Sequence, residues 1–360
     1  MPGCTAAEPA AQSGRAKGGE VSGAGMTERK TRLALNGFGR IGRSILRSLA
    51  QGSHDDLELV LINDIEDLGN CAYLFEYDSV FGPWRGQVAT RPGQLIVDGR
   101  AIPFHSSPDL RRLDLSGVDV VLECTGMAGS RALAERGLEA GASSVLISGP
   151  SDEADATLVI GANDAALAGQ RIISNASCTT NALAPLLQVL DDAFGVVSGQ
   201  MTTVHCYTGS QPTVDKPRGD PARSRAAALS MVPTTTSAGR LIGKVLPHLA
   251  GKVSARAIRV PTASVSCIDL TVVLAQQADA AAVNAALWAA SQRQPVIGWT
   301  DRPLVSSDLR ARPESIVMAG PETSVSGGLT RVFGWYDNEW GFSNRMLDMA
   351  RMMGRRPPIA

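Results

Sequence analysis

Between Thr31 and about residue 200 the chain repeats one pattern: a short run of consecutive apolar residues, then a longer stretch in which apolar residues recur every three or four positions. The runs are Leu33-Ala34-Leu35, Leu59-Val60-Leu61-Ile62, Val118 to Leu122 and Val145-Leu146-Ile147. Uninterrupted runs suit strands buried on both faces, and their alternation with helical stretches predicts a doubly wound parallel sheet. Beyond about residue 200 the runs lengthen and alternate apolar with polar, as in Ser266-Cys267-Ile268-Asp269-Leu270-Thr271-Val272. That is the period of a sheet packed on one face. The predicted fold class is therefore α/β, with a second α+β domain built on a largely antiparallel sheet. The Ala-rich stretch Asp279 to Ala290 reads as a surface helix of that second domain.

Residues 1 to 25 are dominated by Gly, Ala, Ser and Pro and hold no apolar run long enough to offset their ordering entropy. Residues 1–30 are accordingly read as a disordered N-terminal extension. Gly18-Gly19 after Arg15 and Lys17 is not the apolar stretch of a signal peptide. Over 360 residues, Lys+Arg 34 against Asp+Glu 35 leaves a formal net charge of -1, so no global field draws the chain to nucleic acid or anionic lipid. The six cysteines form no CxxC pair and no metal-type spacing with the four histidines. Free thiols, a cytoplasmic location and no metal are expected.

Asn36-Gly37-Phe38-Gly39-Arg40-Ile41-Gly42 holds GxGxxG directly after a strand and before the helical pattern Ile41, Ile45, Leu46, Leu49. Glycines permit the tight turn and close backbone approach, and the helix N-terminus offers free N–H groups to a pyrophosphate, the Rossmann arrangement. Asp64, ending the next strand, stands where a carboxylate accepts hydrogen bonds from an adenosine ribose. The same acid repels a 2′-phosphate, which favours NAD over NADP. Gly37, Phe38, Gly39, Arg40, Ile41, Gly42 and Asp64, with Thr125 and Gly126, form the expected cofactor set.

Ser174-Asn175-Ala176-Ser177-Cys178-Thr179-Thr180-Asn181 follows a strand (Arg171, Ile172, Ile173) and opens a helix with apolar positions Leu183, Leu186, Leu187, Leu190 and Phe194. A cysteine at such a helix start is expected to have a lowered pKa. Cys71, Cys124 and Cys267 read as buried small hydrophobes. Among the histidines, His205 follows the strand-like run Met201 to Val204 among polar neighbours and is the candidate base; His54 and His105 fall in loops, and His248 near a helix end.

Asn36 to Arg43 (NGFGRIGR), Ser174 to Asn181 (SNASCTTN), Met201 to His205 (MTTVH), Arg259 to Thr262 (RVPT) and Trp335 to Arg345 (WYDNEWGFSNR) resemble the phosphorylating glyceraldehyde-3-phosphate dehydrogenases, from about Thr31 to Met353. The resemblance implies that Cys178 attacks an aldehyde carbonyl and His205 takes the hydroxyl proton as hydride leaves for NAD, giving an acyl thioester. It implies that Asn338 holds the nicotinamide carboxamide, that Thr208 and Arg259 bind the substrate phosphate, and that Ser177, Thr179, Thr236 and Ser237 receive inorganic phosphate. It further implies an NAD-binding domain over 31–177, completed by a final helix over 341–356, and a catalytic domain over 178–340. A homotetramer acting on a small aldehyde phosphate in glycolysis or a related pathway is expected, with no membrane or nucleic-acid partner.

Four departures alter this expectation. Ser210 stands where the family usually has Asp, and Ser237 where it has Gly. Pro221-Ala222-Arg223-Ser224-Arg225 replaces a motif of the type Leu-Arg-Arg-Ala-Arg, which puts Ala222 where an inorganic-phosphate arginine is expected unless the loop re-aims Arg223. Weakened phosphate dependence is therefore expected. Erythrose-4-phosphate dehydrogenase, which releases the acid by hydrolysis, is the alternative enzyme, and a non-catalytic binding protein on the same fold the alternative from another class. Ala182 replaces a second cysteine four residues after the nucleophile, so no resolving thiol is close in sequence.

Overall fold

The computed structural model describes residues 29–52, 54–127 and 129–355. The expected N-terminal extension, Cys4 and the last position expected for the final helix, 356, lie largely or wholly outside them. Arg29, at the start, pairs with Asp119 at 2.6 Å.

The first part of the chain runs β1 (Thr31–Asn36), α1 (Arg40–Ala50), β2 (Leu57–Asn63), α2 (Leu68–Glu76), β3 (Val88–Arg91), β4 (Gln94–Val97), β5 (Arg100–His105), β6 (Val120–Glu123), α3 (Arg131–Glu139), β7 (Ser144–Ile147), β8 (Ala156–Thr157) and β9 (Ile172–Ser174). These strands form one sheet in the order β3-β4-β5-β2-β1-β6-β7-β9-β8. β1 lies between β2 and β6 and is parallel to both. The chain leaves the two edges of β1 in opposite directions, which opens a crevice at the carboxyl ends of these strands. The four apolar runs each became a strand because their residues are covered on both faces; Leu33, Ile62, Val121 and Leu146 are fully buried.

One edge departs from the parallel pattern. β4 pairs antiparallel with both β3 and β5, and its turns are two residues long. Asp98 (φ 49°) and Gly99 (φ 79°) both take the left-handed conformation that a mirror-image hairpin turn requires. His105 is the last residue of β5, not a loop residue.

The second part contains α4 (Cys178–Phe194), β10 (Val196–Cys206), β11 (Val232–Thr234), α5 (Ala238–Val245), β12 (Val253–Val260), β13 (Ser266–Leu274), α6 (Ala280–Arg293), β14 (Ile297–Thr300), β15 (Ile316–Ala319), β16 (Ser324–Ser326) and β17 (Leu329–Tyr336). Its sheet runs β11-β12-β10-β13-β17-β15-β14, with β16 on β17. β10 with β12 and β14 with β15 pair parallel; the other pairings described are antiparallel. Leu183, Leu187 and Leu241 from the helices bury against Ile268, Leu270 and Val272 of β13, which accounts for the alternation along that strand. Asp279 caps α6 by accepting from the Ala282 N–H at 2.8 Å.

The last helix, α7 (Trp340–Gly354), returns to the first sheet. Phe342, Met346, Leu347 and Met349 share one core with Leu33, Leu35 and Ile45. Arg351 donates to Asp56 at 2.6 Å and to His54 Nδ1 at 2.9 Å. His54, whose Nε2 lies 3.1 Å from Ser48 Oγ, is thus a buried tie between chain start and chain end. Because Leu347 has no exposed surface, Leu347→Ala should cost about 2–5 kcal/mol in denaturant unfolding. A loss below about 1 kcal/mol would show that α7 is not part of this core.

Candidate active site

The crevice beside β1 holds a cavity of about 390 Å³ lined by Gly37, Gly39, Asp64, Ile65, Leu110 and Thr125, among others. Each glycine has its own reason. Gly37 has φ +95°, and a Cβ there would lie 2.7 Å from the Cys124 carbonyl carbon; a Cβ at Gly42 would lie 2.2 Å from the Gly37 oxygen. A Cβ at Gly39 would meet nothing within 4 Å, so the open space above the start of α1 is left for something outside the chain. No side chain caps that helix end, and its first N–H groups have no intrahelical acceptors. A pyrophosphate fits this cradle.

Asp64 Oδ2 accepts from the Phe38 N–H at 2.5 Å and Oδ1 from the Glu66 N–H at 2.9 Å, so the carboxylate also holds the glycine loop in shape. Phe38 and Arg40 reach this site through backbone only. The Phe38 ring is buried against Phe75 and Phe104, the Arg40 guanidinium is bound to Asp78 and Glu339, and Ile41 packs on the first core. Gly126 takes φ +73°, and the Thr125 N–H donates to Glu123 Oε1 at 3.0 Å. Glu123 also accepts from Asn36 Nδ2 at 2.5 Å, and Asn36 Oδ1 accepts from Asn63 Nδ2 at 2.8 Å. These three residues were not among the expected set, although each is the polar residue closing an apolar run. Cys124 lines the cavity and is only half-buried, a correction to its reading as core.

In the second domain Ser177 caps α4, its Oγ accepting from the Thr180 N–H at 3.1 Å, which puts Cys178 at the first helical position. Ala176, just before, is held at φ +56° and is fully buried. Cys178 Sγ lies 3.6 Å from His205 Nε2, across from the end of β10. His205 Nδ1 lies 2.7 Å from the Cys206 carbonyl oxygen. That oxygen can only accept, so a proton on Nδ1 would bond it and leave the Nε2 lone pair toward the sulfur. Arg259, paired with His205 in the β10–β12 register, donates to the same carbonyl at 2.9 Å and stands 2.5 Å from Nδ1.

The expected lowering of the Cys178 pKa is not found in this resting site. Burial pushes the thiol up, and Arg259 together with the hydroxyl and N–H of Thr179 opposes it without prevailing. Burial, and then Arg259, pulls His205 down to about 4. Both groups rest neutral, and the base is available.

The remaining residues are distributed around this pair. Asn338 is buried, its Oδ1 accepting from Cys206 Sγ at 3.0 Å, which leaves its amide N–H groups to donate elsewhere. Thr208 Oγ1 and Ser210 Oγ lie 2.8 Å apart. Thr236 and Ser237 stand at the start of α5, Thr236 Oγ1 accepting from the Ala238 N–H at 3.2 Å. Arg223 donates to Thr234 Oγ1 at 2.6 Å and Thr235 Oγ1 at 3.1 Å, one residue short of Thr236. Thr179 is nearly fully buried and its Oγ1 lies 2.9 Å from Tyr336 OH. Tyr336 itself was quoted only as part of a motif and given no role.

A doubly wound dinucleotide domain joined to an antiparallel-sheet domain that presents a cysteine–histidine pair defines an NAD-dependent oxidoreductase. Residues 31–131 match the profile of the glyceraldehyde 3-phosphate dehydrogenase NAD binding domain and residues 177–338 that of the C-terminal domain. The chain is 48% identical over 323 residues to the glyceraldehyde-3-phosphate dehydrogenase of Pseudomonas aeruginosa, covering 89% of this chain and 97% of that one. It is 46% identical over 332 residues to that of Xanthobacter flavus, covering 90% and 98%. The chain belongs to the glyceraldehyde-3-phosphate dehydrogenase family and takes NAD as its cofactor. Among the described residues no helix is long and apolar enough to cross a membrane.

The His205 shift predicts a pH-dependent stability. An unfolded imidazole titrates near 6.5 and the folded one at about 4, so between those values the unfolded state binds more protons. The contribution is intact above pH 6.5 and is lost as pH falls through 4. In urea unfolding, the wild type should lose roughly 2 kcal/mol more than His205→Gln between pH 7 and about pH 4.5. Equal losses in the two proteins would show that the ring is not held neutral.

Proposed function

We propose that this chain oxidises glyceraldehyde 3-phosphate to 1,3-bisphosphoglycerate through a thioester on Cys178. The observation that carries the reading is the 3.6 Å approach of Cys178 Sγ to His205 Nε2, the nitrogen left free of a proton when Nδ1 donates to the Cys206 carbonyl. As sulfur adds to the aldehyde carbon, Nε2 takes the thiol proton and returns it to the carbonyl oxygen, giving a neutral thiohemiacetal. Bound NAD supplies the hydride acceptor for the next step. There Nε2 takes the hydroxyl proton while the C–H bond gives up its electron pair, and the carbonyl of the thioester reforms. Asn338 orients the nicotinamide through its amide N–H groups. Thr208 and Arg259 hold the substrate phosphate; the Arg259 guanidinium leaves the Cys206 carbonyl to the His205 N–H when it turns to that anion.

Phosphate, not water, takes the acyl group in this reading. The expectation of weak phosphate binding rested on Ala222 and on a loop that would have to re-aim Arg223. Its bonds to Thr234 and Thr235 hold that guanidinium against the two residues that precede Thr236 and Ser237, which supports a receiving site at the start of α5. The activity for which the relatives are named supports the same substrate.

We assign the chain to a homotetramer. Val214, Leu229 and Met231, all on the segment between β10 and β12, are 73%, 85% and 74% exposed, an apolar load suited to cover by a neighbouring subunit. Light scattering should give four times the chain mass; a monomer at micromolar concentration would overturn the assignment. For the reaction, Cys178→Ser should abolish NADH formation from glyceraldehyde 3-phosphate. Arg223→Ala should raise the KM for phosphate about 10- to 100-fold with the first-turnover burst of NADH unchanged. NADH formation that continues undiminished without phosphate would exclude the phosphorylating reaction.

A further inference from the structure

Tyr336, the last residue of β17, is 2% exposed and its hydroxyl is held between two threonines from different elements. Thr179 Oγ1, on the first turn of α4, lies 2.9 Å away, and Thr203 Oγ1, inside β10, lies 2.8 Å away. The tyrosine ring also meets the His205 ring edge-on, with centroids 6.0 Å apart. Thr179 directly follows Cys178 at the start of α4, and its hydroxyl favours the Cys178 thiolate. Burial pushes the Tyr336 phenol well above its ordinary value, so it keeps its proton and can donate it.

Each hydroxyl has one proton to give, which fixes the direction of the chain. For Thr179 to donate to sulfur, its oxygen must accept from Tyr336. Tyr336, having given its proton there, must accept from Thr203. The geometry points to a hydroxyl relay, Thr203 to Tyr336 to Thr179 to Cys178 Sγ, in which Tyr336 and Thr203 are positioning residues that aim a hydrogen-bond donor at the nucleophile. A chain of this kind strengthens its terminal bond when the acceptor becomes an anion, because each hydroxyl polarises the next. The relay gives the half-buried sulfur a fixed donor from the protein side. It deepens the catalytic reading of Cys178 and His205 and rests on it for its consequence, though not for its geometry.

The groups facing the sulfur are His205 and Cys206 from β10, Arg259 from β12 and Tyr336 from β17. Thr203→Val alters none of them and removes only the far end of the relay. The test is the pH profile of Cys178 alkylation by iodoacetamide, read by mass spectrometry of the Cys178 peptide in the full-length protein. In Tyr336→Phe and Thr203→Val the midpoint should move up by about one pH unit, with roughly tenfold slower alkylation at neutral pH. Thr203→Ser, which restores the hydroxyl, should return the wild-type profile, and the KM for NAD should be the same in all three. A wild-type profile in both Tyr336→Phe and Thr203→Val, or the same shift in Thr203→Ser, would overturn the relay and leave Tyr336 a packing residue. Alkylation needs neither cofactor nor aldehyde, so this result is independent of whether Cys178→Ser abolishes NADH formation.

Discussion

The contact between one thiol and one imidazole sets the requirements for the rest of the molecule. Cys178 belongs to the first turn of α4 and His205 to the end of β10, so their separation is fixed only as far as a helix and a strand are packed against each other. Leu183, Leu186, Leu187 and Leu190 of α4 are all fully buried against the sheet that contains β10. A lone histidine facing a lone cysteine across a loop could drift by an ångström and lose its function. Here both backbones are part of one core, and the Ser177 cap and the left-handed Ala176 fix where the helix begins.

The dinucleotide domain is also tied to that core at the chain reversal after β17. Asp337 accepts from the N–H groups of Glu339 and Trp340 and from that of Ala311. Asn338 sits between these bonds, Glu339 pairs with Arg40 at the start of α1, and α7 then enters the first core. One short segment therefore joins the start of the phosphate-binding helix, the asparagine beside Cys206 and the final helix. Moving Asn338 would require breaking the Arg40 ion pair or withdrawing the apolar face of α7. That is a physical reason for a C-terminal helix to be packed on the N-terminal domain.

Much of this was legible in the sequence, and what was not shares a cause. The four buried strands, the glycine loop and the helix after Cys178 were legible because each is a local pattern: a continuous apolar run, a fixed spacing of glycines, a helical repeat. The strands β3 to β5 were not read, since strands of four to six residues with one face in water carry little pattern; their Pro92-Gly93 and Asp98-Gly99 turns were the available signal. Tyr336 was not read because its partners are 157 and 133 residues away. The reach of Arg223 was not legible for a different reason. Counting positions says which residue occupies a site but not where a long side chain reaches, and a guanidinium one residue out of register reached Thr234 and Thr235.

Burial raises the question of how a site that disfavours both a thiolate and an imidazolium can use them. The penalty on each group alone measures the creation of a net charge in a poorly solvated place. Moving a proton from Cys178 Sγ to His205 Nε2 creates no net charge; it separates charge over 3.6 Å, and most of the single-group penalties cancel in the mutual attraction. What remains uncancelled is the effect of Arg259, which favours the thiolate and disfavours the imidazolium. A substrate anion drawing that guanidinium to itself would neutralise the second effect at the moment the base is needed. In the proposed reaction the Arg259 contact, second to burial in lowering His205, would be the one a phosphorylated aldehyde relieves, and a dephosphorylated aldehyde would lack the charge to do so.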